Sequence, residues 1–357
     1  MNISRFGNRG GFKSIVRYIN MLTDQSQWVN ASTVVAFGTQ SSPYIEAYAF
    51  GSSSGFGSKF SSPASNMGFY VNDTEFSKKQ DVLFAAGYGG AYDVSAYKFS
   101  SSGFGTKYTN ATVPGTVWGI SCNDADSAVL VAHDTSPYIS AFPFNYTTGF
   151  GTKYSNPATL PSGNGTAAKL SDNYAFIGTN TTPMVAAYPF NASTGFGTKY
   201  SDPATAGPYS TKTIEYNPYK SVVFFGGIGY GYAFPWSSSG FGTKYAQPAE
   251  SFYSYGSQFN RLGNYIAVSA YSSPYIYAYQ WSNGWGTKYS DPATLPNGAA
   301  NGYSSASVAG IGNAVVMLST VSPYLQGYPF NISTGFGTKY SNPATTPSTV
   351  NGGVAFN

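Results

Sequence analysis

Charged residues are scarce in this chain, only 9% of 357, and the scarcity limits what it can touch. Residues 1–23 hold Arg5, Arg9, Lys13 and Arg17 and no acid. That leaves 14 of the 18 basic residues to face 14 acids in the remainder. The net charge of +4 therefore sits in an N-terminal arm, and the body is neutral. Extensive phosphate contact needs clustered Lys and Arg, so no nucleic-acid partner is expected. A single cysteine, Cys122, excludes an intrachain disulfide and fits synthesis in a reducing cytoplasm. A single histidine, His133, excludes His-rich metal sites and leaves one candidate for a Ser-His-Asp constellation. Its place at a strand end reads as a satisfied polar group. Between Met1 and Lys13 there is no apolar stretch of leader length, so no secretory signal is expected. The most apolar run, Val222–Trp236, is broken by glycines and reads as β-structure, not a membrane-spanning helix. The acids are dispersed, mostly in turns: Asp124, Asp126, Asp134, Asp172, Asp202 and Asp291. Asn123-Asp124-Ala125-Asp126 lacks the Gly and terminal Glu of a calcium loop. The glycine runs at 87–90 and 226–231 have no helix after them to cradle a phosphate. No catalytic residue, metal or cofactor is expected.

Aromatic residues, by contrast, are abundant: 32 Tyr and 26 Phe. That excludes disorder, and with the many Gly and Pro it points to short strands joined by turns. Internal repetition dominates. A Gly-Phe-Gly-Thr-Lys-Tyr hexad, with small variations, occurs seven times. Its lysines are Lys59, Lys107, Lys153, Lys199, Lys244, Lys288 and Lys339. Pro-Ala follows it in six copies. Upstream lies Ser-Pro-Tyr-Ile-x-Ala-Tyr-x-Phe in its fullest form, starting at Ser42, Ser136, Ser273 and Ser322.

The unit spanning Thr116 to Ala158 predicts four strands: Thr116–Asn123, Ala128–His133, Tyr138–Phe144 and Phe150–Tyr154. Turn-forming clusters separate them. In Tyr138–Phe144 both alternating faces are apolar, as in a strand covered on both sides. Pro143, Pro189, Pro235 and Pro329 exclude a helix there. Four strands in about 45 residues match one blade of a β-propeller. The first copy lacks a good leading strand, and the chain ends on Val350–Asn357, a leading strand with nothing after it. These residues predict an all-β, seven-bladed β-propeller over 29–357, the C-terminal strand completing the first blade. A short basic arm, residues 1–28, precedes it. The hexad reads as an outer edge strand whose lysine blunts edge-to-edge pairing. A seven-fold ring of ligand sites is the alternative.

Tandem Ser-Pro-Tyr-Ile followed by Gly-Phe-Gly-Thr-Lys-Tyr-Ser-Asn-Pro-Ala-Thr-Leu-Pro (residues 136–161) resembles the propeller repeats of tailed-bacteriophage virion proteins. The fold is similar to WD-repeat propellers, but the chain has no Trp-Asp dipeptide. The resemblance implies a non-enzymatic structural protein of the virion, in head, neck or tail, assembled in the host cytoplasm. Its partners would be other virion subunits, with no membrane. In the arm, Ile15, Ile19 and Leu22 fall on one helical stripe flanked by the four basic residues, which reads either as packing on the propeller's own rim or as an anchor to the particle. A carbohydrate-binding adhesin contacting a host surface glycan is the second reading, with Trp236, Trp281 and Trp285 as candidate stacking rings.

Overall fold

A computed structural model describes residues 33–89, 94–300, 306–308, 313–347, 349–350 and 352–356. The arm residues Arg5, Arg9, Lys13, Ile15, Arg17, Ile19 and Leu22 lie outside them. From Thr33 onward the chain forms seven four-stranded antiparallel sheets, as the repeat count predicts. Each is one blade. The leading strands are Val354–Phe356, Tyr70–Phe76, Val117–Cys122, Gly165–Leu170, Tyr209–Asn217, Ser254–Phe259 and Ala306–Val308, for blades 1 to 7. Each packs against the leading strands of the two neighbouring blades, and this cycle closes. The leading strands are therefore the inner strands, gathered round the axis of a ring.

Closure falls where the sequence places it. Val354–Phe356 pairs with Thr33–Gly38, setting Val35 opposite Phe356 and Phe37 opposite Val354. C-terminal residues thus supply the inner strand of the blade that opens the ring.

The core lies between blades. In Ala128–His133 every residue is buried. Val129 and Val131 pack towards blade 2, and Ala128, Leu130 and Ala132 towards blade 4. A strand covered on both faces has no room for a polar stripe, hence its continuous apolar sequence.

The third and fourth strands of blade 3 depart most from expectation. Tyr138 does not open the third strand, which runs Ile139–Asn145. Its backbone is left-handed, φ 69°, and it closes a turn by donating its N–H to Thr135 O at 2.9 Å. Tyr44, Met184, Tyr275 and Tyr324 repeat that backbone. The fourth strand of blade 3 is only Gly149–Phe150. Beyond it Gly151 still donates to Pro143 O at 2.8 Å and Tyr154 to Ala141 O at 2.9 Å, so the edge follows the sheet loosely.

The hexad joins neighbouring blades. Its first glycine is left-handed, φ 82° at Gly149, where a Cβ would lie 2.9 Å from the Tyr108 ring of the preceding blade. The Tyr108 hydroxyl donates to Tyr146 O at 2.6 Å. Tyr289 donates to Ile332 O at 2.6 Å, and Tyr154 to Ala192 O. Tyr340 donates to Ser52 O and carries the pattern across the closure from blade 7 to blade 1.

Candidate functional site

The inner strands depart from the repeat. At the position two residues before each strand's first turn stand Ala355, Glu75, Ser121, Lys169, Glu215 and Gln258, in blades 1 to 6. Register fixes the equivalence: Glu75 lies opposite Phe84, Ser121 opposite Leu130, Lys169 opposite Phe176 and Glu215 opposite Phe224. Outer strands repeat because each performs the same packing task, whereas this ring changes chemistry from blade to blade.

Blades 2 to 5 carry the charge. Lys169 Nζ lies 3.2 Å from Glu215 Oε2 and 3.3 Å from Oε1. Lys78 Nζ, in the turn after the inner strand of blade 2, lies 2.8 Å from Glu75 Oε1. In blade 3, between these pairs, the Ser121 hydroxyl accepts from Leu170 N at 3.1 Å, and it favours the charged form of Glu75. Neighbouring turns are latched. Asp126 accepts from the backbone N–H groups of Lys78 (2.6 Å) and Lys79 (2.9 Å). Asp172 accepts from Asn123 Nδ2 (2.8 Å) and Ala125 N (2.9 Å). The cluster thus stands at the end of the inner strands where these turns meet.

Its carboxylates are driven apart electrostatically. Burial favours the protonated form of both. At Glu75 the ammonium groups of Lys78 and Lys169 outweigh it and hold the pKa below the ordinary value. At Glu215 burial prevails over Lys169, and the pKa is raised. Burial opposes charge on Lys169, but the carboxylates of Glu215 and Glu75 more than offset it, so its pKa is raised. A carboxylate pair with separated affinities for protons, beside a retained ammonium, has the makings of acid–base chemistry. Asp73 is pushed by burial up to about 8, although its oxygens accept from Thr74 N at 2.9 Å and Ile120 N at 3.0 Å. The thiol of Cys122 is buried and its pKa raised, chiefly by desolvation, which leaves it inert.

Deeper along the strands lies a second ring. In blades 2 to 6 an irregularity in the pairing falls at one equivalent position, occupied by Asn72, Trp118, Thr166, Lys212 and Tyr255. Bulges re-aim side chains and are frequent beside active sites. Asn72 Nδ2 donates to Val117 O at 2.8 Å, stitching blade 2 to blade 3. Burial lowers the pKa of Lys212.

The residues singled out in the sequence lie elsewhere. His133 is fully buried, with Nδ1 2.7 Å from Thr135 O and Nε2 3.0 Å from Ser140 Oγ. The hexad lysines sit at the rim. Lys59 pairs with Glu46 at 2.7 Å, and Lys288 with Asp291 at 2.8 Å. Lys199 pairs with Asp202, and Lys153 donates to Asn156 at 2.5 Å. Lys339 donates to Gln326 at 2.7 Å and Lys107 to Asn66 O at 3.1 Å. Lys244 lies over the Tyr232 ring at 4.6 Å.

The stacking role given to Trp236 and Trp281 is corrected. Both are buried, 4% and 3% exposed. Trp236 meets Phe176 at 4.7 Å and Tyr200 at 5.0 Å edge-on, filling the space between blades 4 and 5. Trp281 meets Phe259 at 5.2 Å and Tyr245 at 5.5 Å. Trp285 is half-buried and lines a cleft at the rim.

The inner-strand cluster does not show in the repeat, because its residues differ from blade to blade. A signal is present in the sequence: Glu75, Lys169 and Glu215 are charges inside the inner strands of a chain poor in charge.

No family model matches the chain, and no curated protein matches its sequence. Solved structures do match. A candidate 6-phosphogluconolactonase from Bacteroides fragilis superposes with TM-score 0.71 at 12% identity, over 92% of this chain and 98% of that one. A periplasmic gluconolactonase of Pseudomonas aeruginosa gives 0.65 at 14% identity, over 91% and 99%. The Cps50 (Swd1) β-propeller domain of Myceliophteria thermophila, a distant WD-like neighbour, gives 0.55 at 11% identity, over 76% and 87%. At such identities the likeness establishes the fold. The expected role as a non-enzymatic structural protein of a virion, with a carbohydrate-binding adhesin as its alternative, is overturned. Nothing in these comparisons links the chain to virion proteins, and among the propellers similar across nine-tenths of it, those of Bacteroides fragilis and Pseudomonas aeruginosa carry lactonase names.

Proposed function

We propose that the inner-strand cluster binds a sugar lactone and hydrolyses it. The observation that carries this reading is the Glu75–Lys78–Lys169–Glu215 cluster, placed where seven otherwise repetitive blades diverge. The lactonase names of propellers with the same fold support it.

The chemistry needs three things: a base for water, a positive group at the carbonyl oxygen, and a proton for the departing ring oxygen. Glu215, whose pKa is raised by burial, takes a proton from the attacking water. The new C–O bond forms at the lactone carbonyl, and the Lys169 ammonium stabilises the oxyanion. As the ring C–O bond breaks, Glu215 returns that proton to the leaving alkoxide. The product is the open hydroxy acid. Glu75, held ionised, keeps Lys78 and Lys169 protonated and in place.

The test is hydrolysis of D-glucono-δ-lactone by the full chain, followed by acid release above the buffer rate. Glu215→Gln lowers the enzymatic rate about 10²–10⁴-fold, and Lys169→Met lowers it comparably. A wild-type rate equal to buffer sinks the reading.

A further inference from the structure

The repeat is also broken at the rim, and the break between blades 5 and 6 makes a second site. After the hexad of blade 5 the chain reads Tyr245-Ala246-Gln247-Pro248-Ala249-Glu250, where blade 3 has Tyr154-Ser155-Asn156-Pro157-Ala158-Thr159. In the next hexad Trp285 replaces the usual Phe. These departures, far apart in sequence, line one cleft of about 470 Å³ together with Asn283 and Lys288.

The local hydrogen bonding is rewired to match. In blades 2, 4 and 7 a buried tyrosine of the third strand donates to a backbone carbonyl of the segment following a preceding hexad: Tyr97 to Ser65 O (2.7 Å), Tyr188 to Thr159 O (2.9 Å), Tyr328 to Thr294 O (2.9 Å). In blade 6 the equivalent Tyr279 donates to the Glu250 carboxylate at 3.1 Å instead. A side chain has taken over a backbone contact, which sets a carboxylate in the cleft wall.

The unmet demand there is for donors. Gln247 Oε1 is buried without a hydrogen-bond partner. Glu250 accepts from Tyr279, and among the described residues no ammonium is paired with it. Lys288 is held by Asp291 at 2.8 Å and lies 5.0 Å over the Tyr277 ring. Beside these acceptors stand two half-buried rings, Trp285 and Tyr245. A carboxylate, an amide oxygen and an indole ring favour a cation that carries apolar surface.

We infer that this cleft between the rims of blades 5 and 6 binds a small alkylammonium ion, independently of any chemistry at the inner strands.

The experiment titrates the full chain with choline and with its uncharged isostere 3,3-dimethylbutan-1-ol, by calorimetry and Trp fluorescence. Choline is expected to bind saturably at one site, and the alcohol at least tenfold more weakly. Trp285→Phe, Gln247→Asn and Glu250→Thr restore residues that the repeat already uses, so the fold has precedent for each. Trp285→Phe and Glu250→Thr should each weaken choline at least fivefold, and the triple variant should abolish saturable binding. Glu250→Gln keeps the shape and removes only the charge, which gives a second arm should a reversion disturb the rim. No saturable choline binding, equal binding of the alcohol, or unchanged affinity in the triple variant would overturn the proposal.

Discussion

Outer and inner strands of the same blades obey different rules. At the rim, the hexad recurs almost unchanged because each copy meets the same demands: a left-handed glycine, a ring against it, a hydroxyl reaching the next blade. At the axis, equivalent positions hold Glu75, Ser121, Lys169, Glu215 and Gln258, and the packing tolerates all of them. Sameness marks the parts that hold the ring together. Difference marks the place where one blade has something to do that another does not. The cleft at Trp285 follows the same logic, as a difference intruding on the repetitive region.

The contrast can be broken most severely at the axis. Glu215→Gln should remove about 10²–10⁴-fold of lactone hydrolysis while the urea midpoint moves little. A comparable loss from a rim variant such as Lys153→Ala would erase the distinction. Next in size is Gly149→Ala at the rim. It forces a Cβ into left-handed backbone and to within 2.9 Å of the Tyr108 ring. A loss of about 2–3 kcal/mol in a denaturant titration is expected, from strain and overpacking together. Gly68, φ 77°, has open space about it, so Gly68→Ala isolates the backbone share, about 1 kcal/mol.

A third comparison uses pH. Asp73 has a folded pKa of about 8, above its unfolded value. The unfolded chain therefore releases this proton first, and stability falls as pH rises from about 4 to about 8. His133 has a lowered folded pKa, chiefly from burial, so its contribution is complete above the ordinary histidine range and lost as pH falls below it. Between pH 6.5 and 8 Asp73 acts alone of the two. There the midpoint should drop with pH by at most about 1.4 kcal/mol per unit, and Asp73→Asn should flatten the slope. The smallest effect is Tyr108→Phe, which deletes one hydroxyl bond to Tyr146 O and costs about 1 kcal/mol. Blade 1 already has Phe60 in that place.

Blade number and closure were legible because both are questions of counting: seven hexads and one leading strand displaced to the end. Ala128–His133 was legible because its both-face burial leaves a continuous apolar run. Tyr138 was not, since an aromatic residue beside Ile139 looks like strand while its backbone turns the other way. The short edge strand was hidden for a related reason: Lys153 and Tyr154 alternate plausibly but are held by single bonds from Gly151 and Tyr154. The tryptophans show the limit of composition. Trp236 and Trp281 are in the aromatic core because a large ring fills the wedge between diverging blades, and nothing in their immediate sequence separates them from a surface ring. The inner cluster needed register, which bulges at Asn72, Trp118 and their equivalents offset by one residue, beyond the reach of pattern alone.

The pairing of Val354–Phe356 with Thr33–Gly38 has a consequence for how the protein is made. Its partners are separated by some three hundred residues of chain. At the usual 5–20 residues per second of synthesis, the opening blade waits on the order of tens of seconds for its innermost strand. During that interval Thr33–Gly38 offers an unpaired row of backbone donors and acceptors to any neighbouring chain. A growing polysome brings many such edges close together, so crowding on one messenger, more than the stability of the finished ring, sets the hazard of mispairing.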